Sequence, residues 1–247
     1  MIEDILTVIW KDRKGLLSIQ GSRSRALLTY LLPTFMIAII LPIQQGIEYL
    51  DTAWSLIGSL IVPLLLVGTS IPESFAGERE RHTLPTLLAS RLPDRAILFG
   101  KWGLCVAFGW IMSLIILFVS LVVVNIVHWQ GQILFFKGTI LLLNVVLSLL
   151  LSALMASLGV FISLRADRVQ SAQQSLIFIF LVPIMFLQAV PMIMLSVVPD
   201  GRQILERFFA TDFTLLAVLA SSALILINVG LLWGAMVRFQ RSRLLLD

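Results

Sequence analysis

Residues 102–127 read WGLCVAFGWIMSLIILFVSLVVVNIV, with no Asp, Glu, Lys, Arg or His anywhere in the run. A helix crosses the hydrocarbon layer of a membrane in about 20 mostly apolar residues. This stretch is long enough to do so, and too uniformly apolar for a core helix of a soluble domain, which shows a polar face. Working outward, five further runs have the same character: 26–43, 53–72, 139–164, 175–198 and 213–237, none containing an ionisable Asp, Glu, Lys, Arg or His. The expected fold class is an all-α integral membrane protein, with six transmembrane helices in one domain over 1–247.

The composition agrees. Of 247 residues, 59% are hydrophobic and 13% charged, and the mean hydropathy is +1.00. Ordinary soluble domains are about 45–50% apolar and about 25% charged. A disordered tail, a disulfide scaffold and a nucleic-acid module are excluded together. The single cysteine, Cys105, has no partner for an internal disulfide and reads as a small hydrophobe. Glu3 and Asp4 stand where a signal peptide is basic, so no cleavable signal is expected.

Orientation follows from the basic residues. Lys11, Arg13, Lys14, Arg23 and Arg25 precede the first run, and Arg79, Arg81, Arg91, Arg95 and Lys101 lie between the second and third. Arg165 and Arg168 lie between the fourth and fifth, and Arg238, Arg241 and Arg243 follow the sixth. Only Lys137, Arg202 and Arg207 fall on the other side. Fifteen against three, alternating correctly over six crossings, predicts both termini in the cytoplasm. The net charge of +4 is then a topology signal, and no nucleic-acid partner is implied.

Two cytoplasmic pieces are amphipathic. In residues 1–25, Ile2, Ile5, Leu6 and Ile9 follow helical spacing, with acids early and Lys11, Arg13 and Lys14 late, as the helix dipole favours. Such a helix can lie in the headgroup layer against membrane lipid. Between spans two and three, residues 73–101 form the longest charged connection. Glu78, Arg79, Glu80 and Arg81 alternate in sign, Thr83 can cap a helix start, Pro85 is tolerable in a first turn, and Leu84, Leu87 and Leu88 share a face. Leu92-Pro93 stops that short helix, and Asp94 can cap another leading through Lys101 into span three.

The pattern of Glu73, then Gly77-Glu78-Arg79-Glu80, Thr83-Leu84, Leu87-Leu88 and Gly100-Lys101 resembles the first cytoplasmic loop of ABC-2 type permeases, the membrane subunits of a class of ABC exporters. His82 stands where that family commonly has Gly, and Pro85 where a second acid is common. The six-span plan and the N-terminal amphipathic helix agree with the resemblance over essentially the whole chain. It implies that 73–101 carries a coupling helix seated on a separate cytoplasmic ATPase, present in two copies, with Glu73, Gly77, Glu78, Arg79, Glu80, Thr83, Leu84, Leu87 and Leu88 at that contact. It also implies export and a dimer with a second copy or a similar permease in a prokaryotic inner membrane; the proline-containing, mostly apolar fifth span suits an amphiphilic, lipid-linked or otherwise hydrophobic substrate.

The membrane interior points the same way. Ion-coupled carriers keep ionisable side chains within their spans although each costs about 2.5–3.5 kcal/mol; these six spans have none. No Gly-x-x-x-x-Gly-Lys-Ser/Thr phosphate loop exists, because Trp102 follows Gly100-Lys101. The chain is therefore read as non-catalytic, with no cofactor or metal of its own; ATP and Mg belong to the partner ATPase. Asn125, Asn144 and Gln188 either bridge helices or line a substrate path, Gln188 standing among Pro183, Pro191 and Pro199. Ser148, Ser152 and Ala156, and Gly230 with Gly234, allow close helix approach within the subunit or at a dimer face. A haem-exporter-like permease subunit, or an ion-independent channel or secondary carrier, remain the alternatives.

Overall fold

The protein is described from a computed structural model that defines residues 2–16, 23–52, 54–83, 91–129, 131–166, 168–197 and 213–238. Among these residues there are helices and no strand: α1 (Ile2–Leu16), α2 (Arg23–Gln45), α3 (Glu48–Asp51), α4 (Trp54–Glu80), α5 (Asp94–Val127), α6 (Gly138–Ser163), α7 (Val169–Val197) and α8 (Phe213–Arg238). Among the described residues, four helical stretches are long and apolar enough to cross a membrane: Trp54–Glu80, Asp94–Val127, Gly138–Ser163 and, within α8, Val218–Val237. The chain is thus an all-α, multi-pass membrane protein. Helices α2 and α7 stand at the other two expected spans, their described apolar portions being Thr34–Gln45 and Val169–Pro183.

Helix ends differ from the sequence reading in an informative way. Residues 73–80, expected as loop, are the last two turns of α4, whereas α5 begins at Asp94, where the sequence signals a helix start. At 1.5 Å per residue the 34 residues of α5 are about 50 Å long, so it outreaches a hydrocarbon core of about 30 Å. Pro93, not Asp94, occupies the N-cap position of α5. Helix α7 starts at Val169 rather than 175, and the expected loop 44–52 contains α3, whose Tyr49 and Leu50 are buried.

Helix α4 is central, packing against α5, α6 and α7; α5 carries α1 and α2 on its flank, and α8 packs on α6. Two of the prolines inside these helices, Pro63 and Pro42, are accommodated by serines. Pro63 lacks an N–H and so leaves the Ser59 carbonyl without its helical donor; the Ser113 hydroxyl of α5 donates to it at 2.8 Å. Pro42 of α2 likewise releases the Ala38 carbonyl, which accepts from Ser120 of α5 at 3.1 Å. Two serines seven residues apart on one helix thus complete the backbones of two neighbours.

Close approach relies on glycine at two points. A Cβ on Gly109 of α5 would stand 2.4 Å from Val67 of α4, and one on Gly159 of α6 would stand 2.4 Å from Ile71. Around them Val67, Ile71, Phe75, Ile97, Leu98, Cys105, Ala156 and Val160 form the largest buried cluster.

Candidate functional site

Four ionisable side chains, Lys11, Asp12, Glu78 and Lys101, gather where α1, the last turns of α4 and the first turns of α5 meet. Gly100 makes the meeting possible: a Cβ there would lie 2.8 Å from Val8, so α1 lies directly on the α5 backbone. Val8, not the Leu6–Ile9 side, is the buried apolar contact of α1, while Leu6 and Trp10 are each 58% exposed. One turn beyond Val8, Asp12 is brought to the next residue of α5, Lys101.

Lys101 is the centre of the cluster. Its side chain is only 2% exposed, and its ammonium lies 3.0 Å from Asp12 Oδ2 of α1 and 3.1 Å from Glu78 Oε1 of α4. It also donates to the Ser74 carbonyl at 2.7 Å and to Ser74 Oγ at 3.3 Å, with the Phe75 ring centroid 5.4 Å away. Ser74 Oγ reaches Asp12 Oδ2 at 3.4 Å, and Lys11 Nζ reaches Glu78 Oε1 at 3.0 Å. Two cations face two carboxylates, so burial leaves no net local charge. One ammonium thereby ties three helices that are separated in sequence.

The Gly77-Glu78-Arg79-Glu80 motif acquires a distinct contact for each side chain. Gly77 is buried beside Val169. Glu78 faces Lys101 and Lys11. Arg79 Nη2 donates to the carbonyl of Leu164, the residue that ends α6, at 2.9 Å. Glu80 Oε2 accepts the backbone N–H of Val169, the first residue of α7, at 3.1 Å. A cation thus sits at the C-terminus of α6 and a carboxylate at the N-terminus of α7, the signs that both helix dipoles favour. Glu73 pairs with Arg81, which is largely exposed.

Helix α4 closes with Thr83 N–H donating to Glu78 O at 2.9 Å and His82 N–H to Arg79 O at 3.0 Å. These are the paired bonds of a Schellman ending, which places its C′ residue in the left-handed region. That residue is His82, at φ 55°, where the resemblance expects Gly. The Thr83 hydroxyl also donates to Glu78 O, at 3.2 Å. Leu84, Leu87 and Leu88 lie outside the described residues, as do all of 84–90; the described chain supplies the two stalks on either side.

The other singled-out residues are distributed through the bundle. Asn144 is fully buried, donating to Ser55 Oγ at 3.0 Å and Ile140 O at 2.9 Å and accepting from Ser59 Oγ. Asn125 exchanges two hydrogen bonds with the Leu134 backbone, which pins 131–137 against α5. The side chain of Gln188 is outside the described set. Ser148, Ser152 and Ala156 are buried inside the protomer, with Ser152 beside Gly109 of α5 and Ala156 in the cluster with Val67 and Ile71 of α4. Gly230 faces open space, and Gly234 meets Phe161 of α6, so the two glycines do not share a partner.

Sequence reasoning missed Asp12, Ser74 and Lys101 as one constellation. Asp12 four residues after Val8, and Lys101 next to a glycine at a helix crossing, are the signals that could have found it. Ser113 and Ser120 were missed too, although prolines in neighbouring spans announce carbonyls in need of donors.

A family model described as ABC-2 family transporter protein matches residues 44–221, taking in α3 to α7 and every residue of the charged cluster except those of α1. No curated protein and no solved structure matches the chain.

Proposed function

The chain belongs to the ABC-2 transporter family and is a permease subunit of an ABC transporter, and from that premise we propose that it is the six-span half of an exporter driven by separate ATPase subunits. The substrate is amphiphilic, lipid-linked or otherwise hydrophobic. Two copies of this chain, or this chain and a similar one, span a prokaryotic inner membrane with both termini in the cytoplasm. Two ATPase subunits supply ATP and Mg chemistry, and this chain contributes none.

The observation that carries this reading is the pair of stalks. The ends of α4 and α5 run past their apolar stretches, flank residues 84–90, and are cross-tied by a buried ammonium. A segment held this way delivers displacement to the spans instead of absorbing it in a slack loop. Leu84, Leu87 and Leu88 form the apolar face that seats in the ATPase. ATP-driven closure of the ATPase pair pushes this segment and biases the spans between inward- and outward-facing states. The work arrives as differential contact with those two states, the only way a partner shifts such an equilibrium.

The substrate class is supported by α7. Its Ile177, Phe178, Leu181, Met185 and Phe186 are exposed apolar side chains, and its run holds no charge. Gln188 is the polar group on this path.

Purification together with a candidate ABC ATPase subunit tests the reading. The complex is expected to hydrolyse ATP, and Leu84→Asp with Leu88→Asp is expected to abolish assembly. Transport by the isolated chain under an ion gradient, or labelling of residues 73–101 from outside the cell, contradicts it. Gln188→Leu is expected to lower transport and substrate-stimulated hydrolysis; unchanged values remove Gln188 from the path.

A further inference from the structure

We infer that Arg79 and Glu80 are positioning residues through which displacement of the 84–90 segment swings α7, so that the first cytoplasmic connection drives the helix beyond the second. This rests on the coupling role proposed above and adds the route taken inside the protein.

The geometry is direct. Arg79 and Glu80 are the last two residues of α4 before its closing turn and therefore move with the stalk. Their side chains end on the two sides of the α6–α7 connection, Arg79 on Leu164 O and Glu80 on Val169 N–H. Gln173 adds a third tie, donating to Thr69 O of α4 at 3.3 Å. Push or pull at the end of α4 is thus applied to the foot of α7.

The foot is also where α7 is held. Ala172 and Leu176 are fully buried. Farther along, Leu181, Val182, Met185, Phe186 and Ile193 are all exposed. From Val169 to Pro183, where the first proline interrupts it, α7 is about 22 Å long. Held near one end, this part acts as a lever: tilting the foot by about 10° carries its Pro183 end through about 4 Å. A small movement at Glu80 therefore becomes a large one along the apolar face of α7.

The test uses the complete complex in proteoliposomes, with Cys105→Ala as background. Spin labels go at Gln174 of α7 and Val237 of α8 in one variant, and at Arg95 of α5 and Val237 in another. Distances are compared without nucleotide and with ATP trapped by vanadate. Both pairs are expected to shift in the parent. In R79A/E80A the 174–237 shift is expected to be lost while the 95–237 shift remains. Glu80→Gln keeps an oxygen acceptor for Val169 N–H and is expected to retain both shifts. Val169→Pro removes the donor at a first-turn position that accepts proline, so α7 stays helical; it is expected to lose the 174–237 shift as the double variant does.

An undiminished 174–237 shift in R79A/E80A or Val169→Pro overturns the inference. So does a parent in which only the 95–237 pair moves, or loss of the shift in Glu80→Gln. A parent in which neither pair moves overturns the coupling reading itself, and this inference with it.

Discussion

Two groups of buried polar side chains hold this bundle together, and they follow opposite rules. At the junction of α1, α4 and α5 the fold buries full charges, with Lys101 against Asp12 and Glu78. Inside the spans, Ser55, Ser59, Ser113, Ser120 and Asn144 are equally buried yet wholly neutral. The difference follows from depth. A charge at mid-membrane costs about 2.5–3.5 kcal/mol even on lenient scales, whereas a neutral hydrogen bond there contributes about 0.6 kcal/mol on average. Charge is used where the helices outreach the apolar layer, and there it joins elements whose separation would strand it.

The largest effect should come from stranding it. Lys101→Met leaves Asp12 and Glu78 facing each other without their shared cation, and removal of one member of a buried ion group costs about 3–5 kcal/mol. Thermal unfolding in detergent is expected to show a loss on this scale. Adding Asp12→Asn and Glu78→Gln is expected to recover most of it, since an uncharged, well-packed set is often as stable as the ionic one. A single variant no worse than a serine deletion in the spans would erase the contrast between the two groups.

That serine deletion comes next. Ser113→Ala removes the donor to a carbonyl that Pro63 has already deprived of its helical partner. A buried acceptor left unsatisfied costs about 1–3 kcal/mol. Combining the variant with Pro63→Ala, which restores an N–H to the helix, is expected to abolish most of that penalty. If the double variant is as weak as the single, the serine serves packing and not the proline.

How much of this was legible in the sequence follows from the same contrast. Lipid imposes a long apolar run on every span, so residues 102–127, 139–164 and 213–237 could be placed to within a few residues of α5, α6 and α8, apart from the charged start of α5. Hydropathy ceases to inform where a helix leaves the lipid, and there residues 73–80 read as loop although α4 simply continues, while 94–101 read as helix only because Asp94 after Leu92-Pro93 signals a helix start. The Gly-Glu-Arg-Glu motif could be recognised, but its partners could not. Lys11, Leu164 and Val169 are 67, 85 and 89 residues away from Glu78, Arg79 and Glu80 respectively, and only the packing of α1 on α5, and of α6 and α7 on α4, brings them together. Tyr49 was hidden for another reason: a four-residue helix has no periodicity to detect.

Tyr49 provides a smaller test, at the far end of the neutral group. Its hydroxyl lies 3.3 Å from Ser120 Oγ. The Ser120 hydrogen is committed to Ala38 O, so the phenol donates. Burial pushes this phenol above its ordinary value of 10.0, outweighing the opposite pull of the Ser120 bond. The unfolded chain therefore releases the proton first as pH rises through 10, so the folded state holds more protons and loses stability above that pH. Tyr49→Phe is expected to cost about 1 kcal/mol at neutral pH, the net value of one hydrogen bond, and to flatten the alkaline decline. A decline equally steep in Tyr49→Phe assigns it to other groups.

The smallest effect separates the two ends by how their helices stop. Helix α2 ends on Gly46 at φ 62°, the residue type suited to a left-handed ending, and a Cβ there would press on His128 at 3.3 Å. Helix α4 ends on His82 at φ 55°, which carries the steric cost that Gly46 avoids. An L-residue in this region is about 1–2 kcal/mol above its right-handed form, and glycine returns about 0.5–1 kcal/mol of that through its greater freedom when unfolded. His82→Gly is therefore expected to stabilise the protein by about 0.5–1 kcal/mol, the remainder of those two terms. His82→Ala keeps the strain and is expected to leave stability nearly unchanged. Since the imidazole is exposed, it has little packing to lose. A glycine variant less stable than the parent would mean that the ring holds the turn at the base of residues 84–90 and compensates for its backbone, which would make the charged end the more tightly specified of the two.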